Sequence, residues 1–188
     1  MKRLVFVLLA AFGWLFINKP LKAADVLYFT SSPTSWVGQG QTLTLTSPIT
    51  AFSAQRQYNT VILGFSNPEH WYYLNVVGPQ ATLPTVGFYA NASRPPLNWP
   101  NPGLDFSGDG RGNNTLTGYF NVLQADYDIH GNIASFAVDF TQYDEGVKAN
   151  WVSGSFRYNS NIPIPEPSTL LLLGFGVPIL SGLRRKRY

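Results

Sequence analysis

Thr117-Gly118-Tyr119-Phe120-Asn121-Val122-Leu123-Gln124-Ala125-Asp126-Tyr127, then Asp128-Ile129-His130-Gly131-Asn132, then Ile133-Ala134-Ser135-Phe136-Ala137-Val138-Asp139-Phe140 is the stretch that decides the fold. Its two runs alternate with a period of two, the pattern of strands with one buried face. In the second run Ala134, Phe136, Val138 and Phe140 point one way, and Ile133, Ser135, Ala137 and Asp139 the other. The residues between the runs are turn formers, so the reading is a β-hairpin.

Working outward, residues 26–30, 41–46, 61–65, 71–77, 86–90 and 150–158 also read as strands. Thr42, Thr44 and Thr46 share one face of theirs, Leu43 and Leu45 the other. Val152, Phe156 and Tyr158 form the inner face of the last strand. The region is rich in Thr, Tyr, Phe, Trp, Asn and Gly, which are strand and turn residues, and shows no long helical period. These features predict an all-β fold: a single antiparallel β-sandwich, jelly-roll-like, over residues 24–162. The chain has no cysteine, so this domain is expected to stand on its hydrophobic core alone.

The two ends read differently. Met1-Lys2-Arg3 is basic, residues 4–17 are apolar, Asn18-Lys19-Pro20 breaks the run, and Leu21-Lys22-Ala23 supplies a small residue for cleavage. Residues 1–23 are thus expected to be a secretory signal peptide. Residues 163–188 hold Pro165-Glu166-Pro167-Ser168-Thr169, an uncharged run at 170–183, then Arg184, Arg185, Lys186 and Arg187. As a helix the run and its flanks reach roughly 24 Å, a short fit to a hydrocarbon core of about 30 Å. Gly174, Gly176 and Pro178 are tolerated better in membrane helices than in soluble ones. A single transmembrane helix is expected, with the basic cluster as stop-transfer signal on the cytoplasmic side.

The whole chain carries a formal charge of +3, but eight of its thirteen basic residues lie in these two ends. Between them Arg56, Arg94, Arg111, Lys148 and Arg157 face nine acidic residues, leaving a net charge of −4. An acidic domain disfavours nucleic acid as a partner, because phosphate contacts need a basic surface.

The C-terminal arrangement of Pro165, Glu166 and Pro167, a Leu/Gly-rich helix and an Arg cluster resembles the PEP-CTERM protein-sorting signal. The resemblance implies recognition and removal of the tail by an exosortase, a membrane cysteine protease. It also implies a Gram-negative envelope, an inner-membrane-anchored precursor, delivery to the cell surface or medium, and association with exopolysaccharide. Residues 104–160 resemble a bacterial exported β-domain whose usual pattern is Gly-Asp-Gly-Arg-Gly-Cys-Asn followed by Gln-His-Cys-Glu-Gly. The matching stretches here are Gly108-Asp109-Gly110-Arg111-Gly112-Asn113-Asn114 and Gln142-Tyr143-Asp144-Glu145-Gly146. Both cysteine positions are changed, to Asn113 and Asp144, as joint loss of a disulfide requires.

Several chemistries are tested by these residues. Asp105, Ser107 and Asp109 with Gly110 resemble the start of a calcium loop, but Leu116 stands where a bidentate Glu belongs and Arg111 adds positive charge. The competing reading is a Gly-rich turn whose aspartates accept backbone N–H bonds. His70 and His130 lack zinc partners at ligand spacing, no Gly-x-Ser-x-Gly elbow occurs, and no cofactor is implied. The chain is read as a non-enzyme. The alternative is an extracellular carbohydrate-active hydrolase using acids such as Glu69, Asp105 and Asp139. Trp36, Trp71 and Trp151 are expected in the core, the usual fate of Trp in a sandwich. Trp99 lies in the Pro-rich stretch 94–102, which cannot be a central strand. It reads either as core or, with Asn98 and Asn101, as a carbohydrate contact.

Overall fold

The hairpin forms where the alternation places it. In the computed structural model, which describes residues 24–46 and 51–164, β8 (Leu116–Tyr127) and β9 (Ile133–Asp144) pair antiparallel from Leu116↔Asp144 to Tyr127↔Ile133. The Asp128 carboxylate closes the turn by accepting from the backbone N–H groups of His130 and Asn132 at 2.8 Å each. One expectation fails at the turn end. The register passes from Asp126↔Ser135 to Tyr127↔Ile133, which leaves Ala134 unpaired. Ala134 is exposed, and Ile133 joins Phe136, Val138 and Phe140 in the core. An extra residue in a strand inverts the facing of everything beyond it.

Among the described residues there are eight further strands: β1 (Ala24–Ser31), β2 (Thr42–Thr46), β3 (Ala51–Gln57), β4 (Thr60–Ser66), β5 (Trp71–Val77), β6 (Gly87–Ser93), β7 (Gly103–Gly108) and β10 (Trp151–Ser160). All ten belong to one sheet in the order β2-β1-β10-β9-β8-β6-β7-β5-β4-β3. The all-β class holds. The pairing is mixed, however, where a purely antiparallel sandwich was expected: β6 and β7 meet in parallel at the one pair Ser93↔Gly103. Among the described residues no helix is long and apolar enough to cross a membrane. The expected signal peptide, the motif Pro165, Glu166, Pro167, the helix at 170–183 and the basic cluster lie outside the described residues.

The sheet curls at the β6–β7 seam, so its halves face each other across an aromatic interior. Phe29 of β1 meets Tyr72 of β5 at 5.0 Å and Phe106 of β7 at 5.3 Å between ring centroids. Phe106 meets Phe140 of β9 at 4.8 Å, and Phe52 of β3 meets Phe156 of β10 at 5.7 Å. Each fully buried Phe, Leu or Val contributes about 1.5–3 kcal/mol.

The seam is closed by a side chain. Gln142 of β9 is fully buried, accepts from the Phe106 N–H at 2.8 Å and donates to the Phe106 carbonyl at 3.0 Å. It thereby supplies both bonds of a missing strand partner, meeting the rule that buried backbone groups are paired.

Arg157 closes the other end of the domain. It is 1% exposed, and its guanidinium donates to the carbonyls of Val138, Phe156, Ile162 and Pro163 and to Asp139 Oδ1. Residues 162 and 163, which lead to the C-terminal segment, are bound to the sheet by Arg157, and the Ile162 N–H also donates to Ser160 Oγ of β10 at 3.2 Å.

Candidate functional site

Two sequence stretches singled out above interlock. Asn113 and Asp144 are both buried, and Asn113 Nδ2 donates to Asp144 Oδ1 at 2.7 Å. Asp144 also accepts from Ser35 Oγ at 2.6 Å, the Val37 N–H at 3.2 Å and Gln142 Nε2 at 3.3 Å. Where the exported-domain resemblance has two cysteines, this chain has a hydrogen-bonded polar pair. Glu145 accepts from the backbone N–H groups of Asn114 and Thr115 and from the Thr115 hydroxyl. Gly110 and Gly146 turn the chain at φ of +77° and +73°, a conformation costly for other residues. These residues are a scaffold that joins the 32–40 loop to β9 and the 108–114 loop.

Asp109 is part of the same scaffold. Its Oδ2 lies 2.9 Å from His70 Nδ1 and accepts from Tyr72 Oη at 2.8 Å, while Oδ1 accepts from the Trp71 N–H at 2.9 Å. Arg111 Nη2 stands 3.8 Å away. Burial alone would raise the Asp109 pKa, but the donors from Trp71, His70 and Tyr72 outweigh it and hold the carboxyl below its ordinary value. Burial, with the bond to Asp109, pushes the Tyr72 phenol upward.

The calcium candidates fall on separate partners. Asp105 and Ser107 lie on strand β7, and Asp105 pairs with Arg94 at 3.4 Å. Its carboxyl is raised, chiefly by burial, against the pull of Arg94. Asp109 accepts backbone and side-chain bonds in the turn beyond. Among the described residues no three acidic, His or Cys side chains cluster as a metal site.

The tryptophans depart from expectation. Trp36 is 57% exposed and Trp71 40% exposed, so neither is core, and Trp151 is half-buried. Trp71 and Tyr73 lie side by side on the outer face of β5 at 5.9 Å. Trp99 is 67% exposed. Its loop is braced beneath it: Asn98 is buried and donates from Nδ2 to the Asn101 carbonyl at 2.7 Å, and the Asn101 N–H returns to the Asn98 carbonyl at 2.6 Å. Asn98 holds the loop, and Asn101 is exposed.

A feature missed in the sequence lies on the outer face of the β1, β10, β9, β8 and β6 strands. Registers across these strands align Tyr28, Ser155, Asp139, Asn121 and Phe88 in one row. The next row holds Thr30, Ser153, Thr141 and Tyr119. Two adjoining depressions of about 290 and 490 Å³ lie over these rows, and Tyr119 lines both. Exposed Asn101 from the Trp99 loop borders the larger. The signal that marks this face was present: Tyr119 and Asn121 are the outward positions of the same alternation that identified β8.

Comparison with known families bears on the C-terminal segment. No curated protein and no solved structure matches the chain. Residues 163–187 match the family model of the PEP-CTERM protein-sorting motif, which implies exosortase-dependent sorting of this chain to the cell surface or beyond.

Proposed function

We propose that residues 24–162 are a non-catalytic module that the sorting motif delivers to the cell surface, where it associates with exopolysaccharide. On this reading residues 170–183 hold the precursor in the inner membrane, residues 184–187 stay inside, and the exosortase removes the tail. The observation that carries the binding role is Trp99, an exposed indole on a braced loop. A ring held out by prolines and by the Asn98–Asn101 bonds loses little freedom on binding, and its face suits the apolar face of a sugar.

Arrangement of the acids supports a binding role over hydrolysis. A glycosidase needs two carboxylates flanking the scissile bond. Glu69 is exposed in the turn before β5, Asp105 is paired with Arg94 on the other half of the sheet, and Asp139 is the single carboxylate lining the two depressions.

Trp99→Ala tests the reading. Binding to the cell's own exopolysaccharide should weaken while the melting temperature stays near that of the parent. A large fall in melting temperature would assign Trp99 to packing and remove the anchor.

A further inference from the structure

We propose that the outer face of β1, β10, β9, β8 and β6 is a groove for an uncharged polysaccharide chain. This rests on reading the domain as an exopolysaccharide module and gives that reading a site and a ligand class.

Shape argues for a chain. Neighbouring strands lie about 4.8 Å apart, so the row from Tyr28 to Phe88 runs roughly 19 Å across five strands. Tyr28 and Tyr119 line the smaller depression, and Tyr119 with Phe88 lines the larger. Phe88 and Tyr119 are 65% and 39% exposed, with ring centroids 5.7 Å apart. Repeated aromatic surfaces along one groove suit a polymer with repeated apolar faces better than a single small ligand.

Chemistry argues for hydroxyl-rich sugar. Thr141 and Ser153 hydroxyls bond each other at 2.9 Å, and Ser155 Oγ donates to Asp139 Oδ1 at 2.7 Å. These lateral bonds give the groove a fixed polar floor. Two groups remain available: among the described residues, the Asn121 amide makes no hydrogen bond and Asp139 Oδ2 has no donor. They occupy paired positions on β8 and β9. Together they offer donors and acceptors to adjacent sugar hydroxyls.

Charge selects against ionic polymers. Asp139 and Lys148 are the charged residues lining the two depressions. Asp139 is already paired with buried Arg157 at 2.7 Å. A polyanion would therefore meet a single lysine, and a polycation one neutralised acid. A neutral chain can lie over the smaller depression without desolvating an unpaired charge, and Lys148, exposed at the larger one, can keep its ammonium in water.

The test is affinity electrophoresis of the mature protein in gels holding the cell's own exopolysaccharide, a neutral glucan or the polyuronate alginate. The proposal expects retardation by the cell's polymer and by the neutral glucan, weakened about tenfold, or by about 1.4 kcal/mol, in Tyr119→Ala. Trp71→Ala, on the other half of the sheet, should bind like the parent. Asn121→Ala serves as the second variant should Tyr119→Ala fail to fold, with the same loss expected. Retained binding in both folded variants would overturn the groove while leaving the exopolysaccharide module standing. Retardation by alginate alone would overturn the uncharged ligand class. No retardation by any polymer would overturn the module and the groove together.

Discussion

At the scale of single residues, Asp144 illustrates how this cysteine-free domain holds its loops. Four donors converge on its buried carboxylate. Asp144→Ala leaves Ser35, the Val37 N–H, Asn113 and Gln142 short of an acceptor, and stability should fall by about 2–4 kcal/mol in urea unfolding. Asp109 carries a pH signature. Its folded pKa is depressed from the ordinary 3.8, so its contribution is present above that value and disappears as pH falls through the folded pKa. The urea midpoint of the parent should decline below about pH 4, and Asp109→Asn should flatten that decline. An unchanged acid limb in the variant would contradict the assignment. Residue-level legibility was uneven. Tyr72 is buried between exposed Trp71 and Tyr73, the alternation of a strand with one covered face. Trp36 and Trp71 were expected in the core because Trp usually is, yet alternation fixes only a side chain's face and not what covers that face.

At the scale of elements, strands with clean alternation were readable and those without it were not. β5 and the body of the β8–β9 hairpin fall where their apolar pattern places them. β7 was hidden because Asp105, Ser107, Gly108 and Asp109 look like a loop. Its outer positions are polar, and only Leu104 and Phe106 face the core. β3 is concealed similarly by Ser53, Gln55 and Arg56. The pairing partner of β7 across the seam could not be read at all, because it is a side chain from a residue 36 positions away. Gln142→Ala removes both bonds to Phe106 and should cost about 2–4 kcal/mol, visible as a lower urea midpoint. Gly118 makes a sharper test of the hairpin. A Cβ there would stand 2.3 Å from the Thr141 carbonyl oxygen and 2.8 Å from Leu104. Gly118→Ala should therefore part β8 from β9 and destabilise by about 1–3 kcal/mol, whereas Gly112→Ala, with its nearest atom at 3.6 Å, should be far milder.

At the scale of the whole molecule, the charge distribution separates address from body. The basic residues that make the chain positive belong mostly to its two ends, and the domain between them is acidic. The PEP-CTERM motif at residues 163–187 begins where Arg157 still grips the Ile162 and Pro163 carbonyls. Pro163, held by Arg157, thus lies two positions before the Pro165-Glu166-Pro167 recognition motif. The address was legible because it is written in local order: motif, apolar run, basic cluster. The groove was not, because its rows are assembled from five strands distant in sequence. On the function proposed above, this domain reaches the surface through removal of its tail. Intact-mass spectrometry of the protein recovered from the cell surface and medium tests it directly. The expected species starts near Ala24 and lacks residues 184–187, with the full tail retained when Pro165, Glu166 and Pro167 are all changed to Ala. Surface protein of the parent chain that still carries Arg184 through Tyr188 would contradict it.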